Sequence, residues 1–187
     1  MKIYYPNIGF GNYQTLRAFL AKLECELVIE SVSVLSNAED ICIIVPGNGN
    51  WDSYRNDGLV ELLKDTERCR YIVICGGFQA LFHSSDEAFG SGAKRLSGHV
   101  ERLNGRLPQL GMRSVSNVGK MYFANSYGIA EKHLENENKF NYVISDKSYV
   151  AALKFENIIG FQFHPEVSGL IGKNFFNKLC SFTSLSN

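Results

Sequence analysis

The sequence predicts a single α/β domain, residues 1–187, built around a mainly parallel sheet. Short apolar runs alternate with helical patterns in the first half of the chain, as in strand–helix–strand units. Residues 41–45 (ICIIV) form an unbroken apolar run, which is typical of a strand buried on both faces. With 187 residues, the chain is long enough to bury one core, and its length does not require a second domain.

The elements of the first half follow from the spacing of apolar residues. In chain order they are a strand at 1–5, a helix in which Leu16, Phe19, Leu20 and Leu23 repeat at helical spacing, strands at 28–34 and 41–45, a helix at 59–65, a strand at 71–75, and a helix from Gln79 towards His83. This alternation predicts parallel strands that are joined by helices.

The second half contains short strand patterns with little helix between them. They cover residues 99–103, 120–124, 142–145, 150–155 and 158–163, and they predict a mixed or antiparallel extension of the sheet. A last helix is predicted from the apolar stripe of Ile171, Phe175, Leu179 and Phe182. We expect residues 131–139 to form an exposed excursion and residues 183–187 to form a frayed tail.

The charge balance argues against several classes of partner. Nineteen basic residues match nineteen acidic ones, so no net field attracts nucleic acid or an anionic membrane. Neither end carries a leader pattern, and no apolar run has membrane-spanning length. We therefore expect a soluble cytoplasmic protein.

The cysteines and histidines do not predict a disulfide framework or a metal site. The five cysteines are an odd number and show no framework spacing, so we expect reduced thiols. Four of them fall in or beside apolar segments, as small buried residues do: Cys25, Cys42, Cys69 and Cys180. The four histidines have no metal-ligand spacing, so we expect no metal and no cofactor. His83, His99 and His133 are interpreted as surface or hydrogen-bonded polar residues.

Cys75 stands in a different context, at the end of an apolar strand and before two glycines. This is the layout of a nucleophile elbow, where backbone N–H groups at the start of the next helix can hold an oxyanion. His164 and Glu166 are two residues apart in an extended segment, so both side chains can point to one side. The carboxylate could then orient the imidazole towards the thiol. A strand-end cysteine is often only a packing residue, but the residues around His164 favour a nucleophile.

Five segments in this order resemble the class I (triad) glutamine amidotransferases, and among them the glutaminase subunits of imidazole glycerol phosphate synthase. They are residues 9–12 (GFGN), 46–49 (PGNG), 74–79 (ICGGFQ), 122–127 (YFANSY) and 160–166 (GFQFHPE). The resemblance spans nearly the whole chain. It implies a flavodoxin-like sheet with helices on both faces and a mixed or antiparallel extension.

The resemblance also implies a function and a set of residues. L-Glutamine would be hydrolysed to glutamate and ammonia, and the ammonia would pass to a barrel-shaped (HisF-like) synthase subunit or to another ammonia-accepting amidotransferase. The residues implied are the triad Cys75, His164 and Glu166, then Gln79 and Glu87 for the glutamine, Gly47, Asn48 and Gly76 for the oxyanion, and Tyr127 at the mouth of the site.

Several positions depart from the family pattern. Val73 replaces a small residue and Gly76 replaces a larger apolar one, while Asn125 replaces a common histidine. Residues that the resemblance places against a partner differ as well. RSV at residues 113–115 stands where the family has tryptophan followed by asparagine, and Val167 stands where the family has a basic residue. Three hypotheses follow: a histidine-pathway glutaminase subunit, a relative that supplies ammonia for a surface-polysaccharide or flagellar sugar, and a catalytically silent regulatory subunit.

Overall fold

The computed structural model describes residues 1–65, 67–134, 140–146 and 148–183. Seven strands form the main sheet: β1 (Lys2–Pro6), β2 (Glu26–Glu30), β3 (Cys42–Val45), β4 (Arg70–Ile74), β10 (Phe140–Asp146), β11 (Tyr149–Phe155) and β12 (Ile158–Phe161). Their order in space is β10-β11-β12-β4-β3-β1-β2. The five strands from β12 to β2 are parallel, and β11 and β10 extend the sheet in antiparallel pairs.

Two smaller groups of strands lie beside the main sheet. The strands β5 (Ser84–Ser85), β6 (His99–Arg102) and β9 (Tyr127–Ile129) form one, and the hairpin of β7 (Gln109–Val115) and β8 (Gly119–Asn125) forms the other. The α/β class and the mixed extension predicted from the sequence are therefore confirmed.

Helices cover both faces of the main sheet. They are α1 (Tyr13–Ala21), α2 (Val32–Leu35), α3 (Trp51–Asn56), α4 (Leu59–Lys64), α5 (Gly76–Gln79) and α6 (Gly169–Thr183). Successive side chains of β3 point to opposite faces of the sheet, so the core has two parts. Ile43 packs with α3 and α4, and Ile44 packs with α1 and α6. All four side chains of β3 are buried, as the apolar run predicts. Within the described residues, no helix is both long and apolar enough to cross a membrane.

Three element predictions were wrong in part. The second strand ends at Glu30 rather than at residue 34, because the Ser31 hydroxyl accepts a hydrogen bond from the Val34 N–H and caps α2. The helix predicted to start at Gln79 instead ends there, since α5 begins at Gly76 directly after the elbow. In α6, Phe176 is buried, whereas Ile171 is 40% exposed.

Other predictions concern the ends of segments. Residues 131–133 form a short 3-10 helix, and residues 135–139 lie outside the described residues. The side chain of Phe182, that of Cys180 and residues 184–187 also lie outside them. The sequence patterns did not predict α3 or β7, although α3 borders the candidate site through Trp51 and Tyr54.

Candidate active site

The predicted site residues gather at the carboxyl ends of the parallel strands. Counting the parallel strands alone, the sheet order is β2-β1-β3-β4-β12, which is the flavodoxin-like order with its switch point between β1 and β3. Ligands bind outside the carboxyl ends of strands in such sheets. Asn12 follows β1, Gly47 follows β3, Cys75 follows β4 and His164 follows β12.

Cys75 adopts a strained backbone conformation between β4 and α5. Its φ of 47° and ψ of −106° lie in a region that non-glycine residues rarely occupy. Two hydrogen bonds hold it there: its N–H donates to the Phe161 carbonyl at 2.7 Å, and its carbonyl accepts from the Gln79 N–H at 3.0 Å. Strain of this kind persists where surrounding structure enforces it, often at active sites. The turn is that of a nucleophile elbow.

His164 connects the thiol to a carboxylate. The ring forms a hydrogen bond with the Cys75 side chain, and Nδ1 lies 2.8 Å from Glu166 Oε1. The Asn12 side chain donates to the same carboxylate oxygen at 2.6 Å. The imidazole is further positioned through its backbone, because the His164 N–H donates to the Tyr122 carbonyl. The thiol, the imidazole and the carboxylate are therefore in one hydrogen-bonded line, with side chains that are buried.

The pKa of His164 is raised from 6.5 to about 10. Burial acts in the opposite direction and lowers it, but hydrogen bonds with Cys75 and Glu166 and the charges of both partners outweigh burial. A protonated imidazole beside a cysteine favours the thiolate, which is the nucleophilic form. The arrangement is suited to an ion pair between thiolate and imidazolium.

Replacing Glu166 with glutamine should lower the pKa of His164, because one of the two groups that stabilise the imidazolium loses its charge. An NMR titration of the His164 ring would measure the change. Protonation of His164 also contributes to the free energy of unfolding. Because its pKa is raised on folding, this stabilisation is complete below pH 6.5 and is lost as the pH rises through about 10. Glu101→Gln removes a carboxylate that pairs with His133 instead, and it should leave the His164 titration unchanged. An unchanged titration in Glu166→Gln would contradict this assignment.

A chain of amide groups reaches the thiol from the other side. Gln79 Nε2 donates to the Tyr127 carbonyl at 2.8 Å and to Gln162 Oε1 at 2.9 Å, and Gln162 Nε2 lies 3.4 Å from Cys75 Sγ. The carbonyl of Tyr127 can only accept, so it fixes the orientation of both amides. Gln162 therefore presents an N–H to the sulfur. The sequence patterns assigned Gln162 no role, although it lies within one of the recognised segments.

A cavity of about 230 Å³ opens beside Cys75. Its walls include every predicted substrate-binding residue, namely Gly47, Asn48, Gly76, Gln79, Glu87 and Tyr127. Glu87 Oε2 accepts a hydrogen bond from the Trp51 N–H at 2.9 Å, and burial raises the pKa of this carboxyl. Asn125 also lines the cavity, and its buried Oδ1 has no hydrogen-bond partner among the described residues. Polar groups thus converge on a small space next to the thiol.

Gly47 fits between the thiol and the imidazole because it has no side chain. A Cβ at this position would lie 2.6 Å from the Cβ of Cys75 and 2.9 Å from Cε1 of His164. The Gly47 carbonyl accepts a hydrogen bond from the Gly76 N–H at 3.3 Å. In this conformation, the first N–H of α5 is therefore directed at a protein carbonyl.

A second cavity, of about 420 Å³, adjoins the first. The two share Gly47, Asn48 and Ala124. The second cavity is also lined by His164 and Val167, and by Asn12, Thr15 and Tyr122. It connects the imidazole with a surface at which Val167 is 44% exposed.

Two of the remaining histidines make contacts outside this site, and His83 is exposed. His99 contacts Ser84 and Asp86, and His133 contacts Glu101. Among the residues that the structure describes, no group of three or more His, Cys, Asp or Glu side chains could hold a metal ion.

The chain matches the family model of class-I glutamine amidotransferases over residues 7–180, and it belongs to that family. It is 36% identical to the imidazole glycerol phosphate synthase subunit HisH of Pyrobaculum aerophilum, in an alignment that covers 70% of this chain and 72% of the relative. It is 30% identical to the protein of the same name from Staphylococcus aureus, with 88% of each chain covered.

Solved structures show the same fold. A glutamine amidotransferase crystal structure superposes with a TM-score of 0.71 at 14% identity, covering 96% of this chain and 98% of the other. A glutamine amidotransferase from Thermotoga maritima gives a TM-score of 0.58 at 12% identity, covering 99% of this chain and 85% of the other.

Proposed function

We propose that this chain is a glutaminase subunit that hydrolyses L-glutamine to glutamate and ammonia through a thioester on Cys75. The observation that carries the proposal is the hydrogen-bonded line from the Cys75 thiol through His164 to Glu166, placed at a strained elbow. A carboxamide is a poor electrophile, and a thiolate divides its hydrolysis into two easier steps. Family membership supports the same chemistry.

In the first step, the Cys75 thiolate attacks the side-chain amide carbon of glutamine and a C–S bond forms. The resulting oxyanion takes hydrogen bonds from backbone N–H groups. The C–N bond then breaks as the His164 imidazolium gives its proton to the leaving nitrogen, which departs as ammonia. In the second step, neutral His164 takes a proton from water, the hydroxide attacks the thioester, and the C–S bond breaks to release glutamate. Glu166 holds the imidazole orientation throughout.

The cavity beside Cys75 is the proposed site for the amino-acid end of glutamine. The Glu87 carboxylate and the unpartnered Asn125 Oδ1 are acceptors suited to its ammonium group. Both Gln79 Nε2 hydrogen bonds are directed at protein groups, so its Oε1 is the atom of that amide offered to substrate. Asn125 thus has a proposed role at a position where the family more often has a histidine.

The oxyanion hole is closed in the conformation described here. The Gly76 N–H is occupied by the Gly47 carbonyl, so it is not free to receive an oxyanion. Rotation of the Gly47–Asn48 peptide by about half a turn would remove that carbonyl and point the Asn48 N–H inwards. Glycines on both sides of Asn48 keep the cost of this rotation low. We propose that an ammonia-using partner induces the rotation when it binds.

The partner proposed first is the synthase subunit of imidazole glycerol phosphate synthase, because the curated relatives carry that name. Ammonia would leave His164 through the second cavity, towards the surface around Val167. This surface also supports a second candidate, a sugar amidotransferase of surface-polysaccharide or flagellar glycan synthesis. The observation in its favour is Val167, an exposed apolar residue where the family has a basic side chain that pairs with the synthase.

Glutaminase activity should be weak in the isolated chain and should rise steeply when a partner binds, because the closed oxyanion hole has to open first. Glutamate release would be measured with and without each candidate partner and its acceptor substrate. One missing oxyanion donor typically costs about a hundredfold or more in rate, which sets the expected stimulation. Full activity of the isolated chain, with no stimulation by any partner, would defeat the gating proposal.

The same assay distinguishes the three hypotheses. Strong stimulation by a standard barrel-shaped synthase would assign the chain to histidine biosynthesis and remove the case for a divergent partner. Stimulation only by a sugar amidotransferase would select the second candidate. A chain without glutaminase activity under every condition would be the silent regulatory subunit.

A further inference from the structure

Tyr54 lies behind the loop that carries Gly47 and Asn48, and it belongs to none of the motifs in the sequence. It projects from α3 and is 1% exposed. Its hydroxyl donates a hydrogen bond to the Pro46 carbonyl at 2.6 Å and accepts one from the Gly49 N–H at 3.4 Å. A single buried oxygen therefore ties both ends of the four-residue loop, residues 46–49, to the core.

The peptide groups involved are the two outer ones of this loop. The Pro46 carbonyl belongs to the peptide before Gly47, and the Gly49 N–H belongs to the peptide after Asn48. The Gly47–Asn48 peptide lies between them and takes part in neither hydrogen bond of Tyr54. Its carbonyl faces the Gly76 N–H instead. Tyr54 thus fixes the flanking peptides and leaves the central one as the part that can turn.

Tyr54 also explains the glycine after the nucleophile. A Cβ at Gly76 would lie 2.7 Å from the Tyr54 hydroxyl oxygen and 2.8 Å from Cε2 of its ring. The ring therefore fills the space that a larger residue at position 76 would need. Phe10 packs edge-on against the same ring, with centroids 5.1 Å apart, and holds it in place.

We propose that Tyr54 is a positioning residue for the oxyanion hole. It anchors the outer peptides of the loop, so that opening the hole is confined to rotation of the Gly47–Asn48 peptide and the Asn48 N–H arrives in a defined place. An oxyanion donor lowers the barrier only if it is held in position before charge develops. This inference rests on the proposed glutaminase function.

The Tyr54→Phe variant tests the positioning role, because it keeps the aromatic ring and loses both hydrogen bonds of the hydroxyl group. In the partner-stimulated enzyme, we expect kcat to fall by about 10- to 100-fold, with KM for glutamine changed less than about twofold. Alkylation of Cys75 by iodoacetamide should keep its wild-type rate, since that displacement develops no oxyanion. Tyr71→Phe is the matched control: Tyr71 is a buried tyrosine of the same core that donates to the Leu62 carbonyl, away from the site. Its kcat should equal that of wild type.

The packing of Tyr54 against Gly76 is tested by a second pair of variants. Gly76→Ala should lower kcat in the wild-type background, because the added methyl displaces the Tyr54 hydroxyl. In a Tyr54→Ala background, Gly76→Ala should lower kcat by a smaller factor. Equal losses in both backgrounds would contradict the proposed contact.

The outcomes separate this inference from the proposed function. If wild type hydrolyses glutamine and Tyr54→Phe does so equally fast, the positioning role is overturned and the glutaminase function stands. A parallel loss of kcat and of the Cys75 alkylation rate would also overturn it, because the variant would then have disturbed the whole site. A wild-type chain that is inactive with every partner would overturn both.

Discussion

Replacing Cys75 with alanine or serine should abolish glutamine hydrolysis while leaving the fold nearly unchanged. The thiol is the only nucleophile in the hydrogen-bonded line with His164 and Glu166, and no thioester can form without it. Losing a nucleophile of this kind typically costs about 10⁴-fold or more in kcat. Glutamate release in the presence of a stimulating partner would measure the loss, and circular dichroism with a thermal melt would report the fold.

A matched control for this substitution is Cys42→Ser. Cys42 is buried in β3, on the face of the sheet that packs against α1 and α6, so its replacement changes the core and not the chemistry. The Cys42→Ser chain should hydrolyse glutamine at close to the wild-type rate. Residual activity of Cys75→Ala near that of Cys42→Ser would show that another group attacks the amide. Ammonia supplied from outside should still support synthesis by the partner, because it bypasses this subunit.

His164 and Glu166 should act as one unit, with strongly non-additive effects on rate. Removing the imidazole with His164→Ala takes away both the base and the acid of the reaction. Glu166→Gln leaves the ring but removes the carboxylate at 2.8 Å from Nδ1, together with its hold on the orientation of the imidazole. We expect each single substitution to lower kcat by about 10²- to 10⁴-fold, and the double substitution to cost little more than His164→Ala alone.

Partner-stimulated kcat values for the two single variants and the double variant provide the test. Losses that multiply in the double variant would mean that the two residues act independently. Full activity in Glu166→Gln would reduce the triad to a dyad of Cys75 and His164. The Asn12→Ala variant provides a further test, because Asn12 donates a hydrogen bond to the same Glu166 oxygen. Its loss should lower kcat by a smaller factor than Glu166→Gln does.

The position of the site could be predicted from sequence because its residues follow apolar strands. The sequence placed Cys75 and His164 each at the end of an apolar strand, although it assigned residues 158–163 to a mixed or antiparallel extension. In the structure β12 runs parallel to β4, so both residues lie at the carboxyl edge of the sheet. Their strands are direct neighbours in the structure. The expected extended segment around Pro165 was wrong, because Pro165–Val167 form a 3-10 helix with His164 as its N-cap. This short helical turn, and not strand alternation, brings the Glu166 carboxylate to 2.8 Å from His164 Nδ1.

The unusual bulk of Val73 has a structural explanation that sequence alone did not supply. Val73 pairs directly with Gly160 in the register of β4 and β12. A Cβ at Gly160 would lie 3.2 Å from Cγ2 of Val73 and 2.4 Å from Phe78, so the missing side chain on one strand makes room for the valine on the other. Such compensation depends on a cross-strand register, which one sequence does not reveal.

Contacts between distant parts of the chain were beyond sequence reasoning for the same reason. Gln162 and Cys75 are 87 residues apart, and Tyr54 meets Gly76 from α3, a helix that the sequence patterns did not predict. Gln162 lies in a recognised segment, but only the orientation of Gln79 shows that its N–H faces the sulfur. Residues 31–34 did not continue the predicted strand, because the Ser31 cap starts a helix despite the β-branched residues around it.

The central claim, that Cys75 is the nucleophile of a glutaminase, is tested most directly by covalent labelling. The chain would be treated with a chloroketone or diazo analogue of glutamine, digested, and mapped by mass spectrometry, with excess L-glutamine as a competitor. We expect a single adduct, located on Cys75, that glutamine suppresses. Labelling of Cys69 or Cys42 in its place, or labelling that glutamine does not suppress, would contradict the assignment.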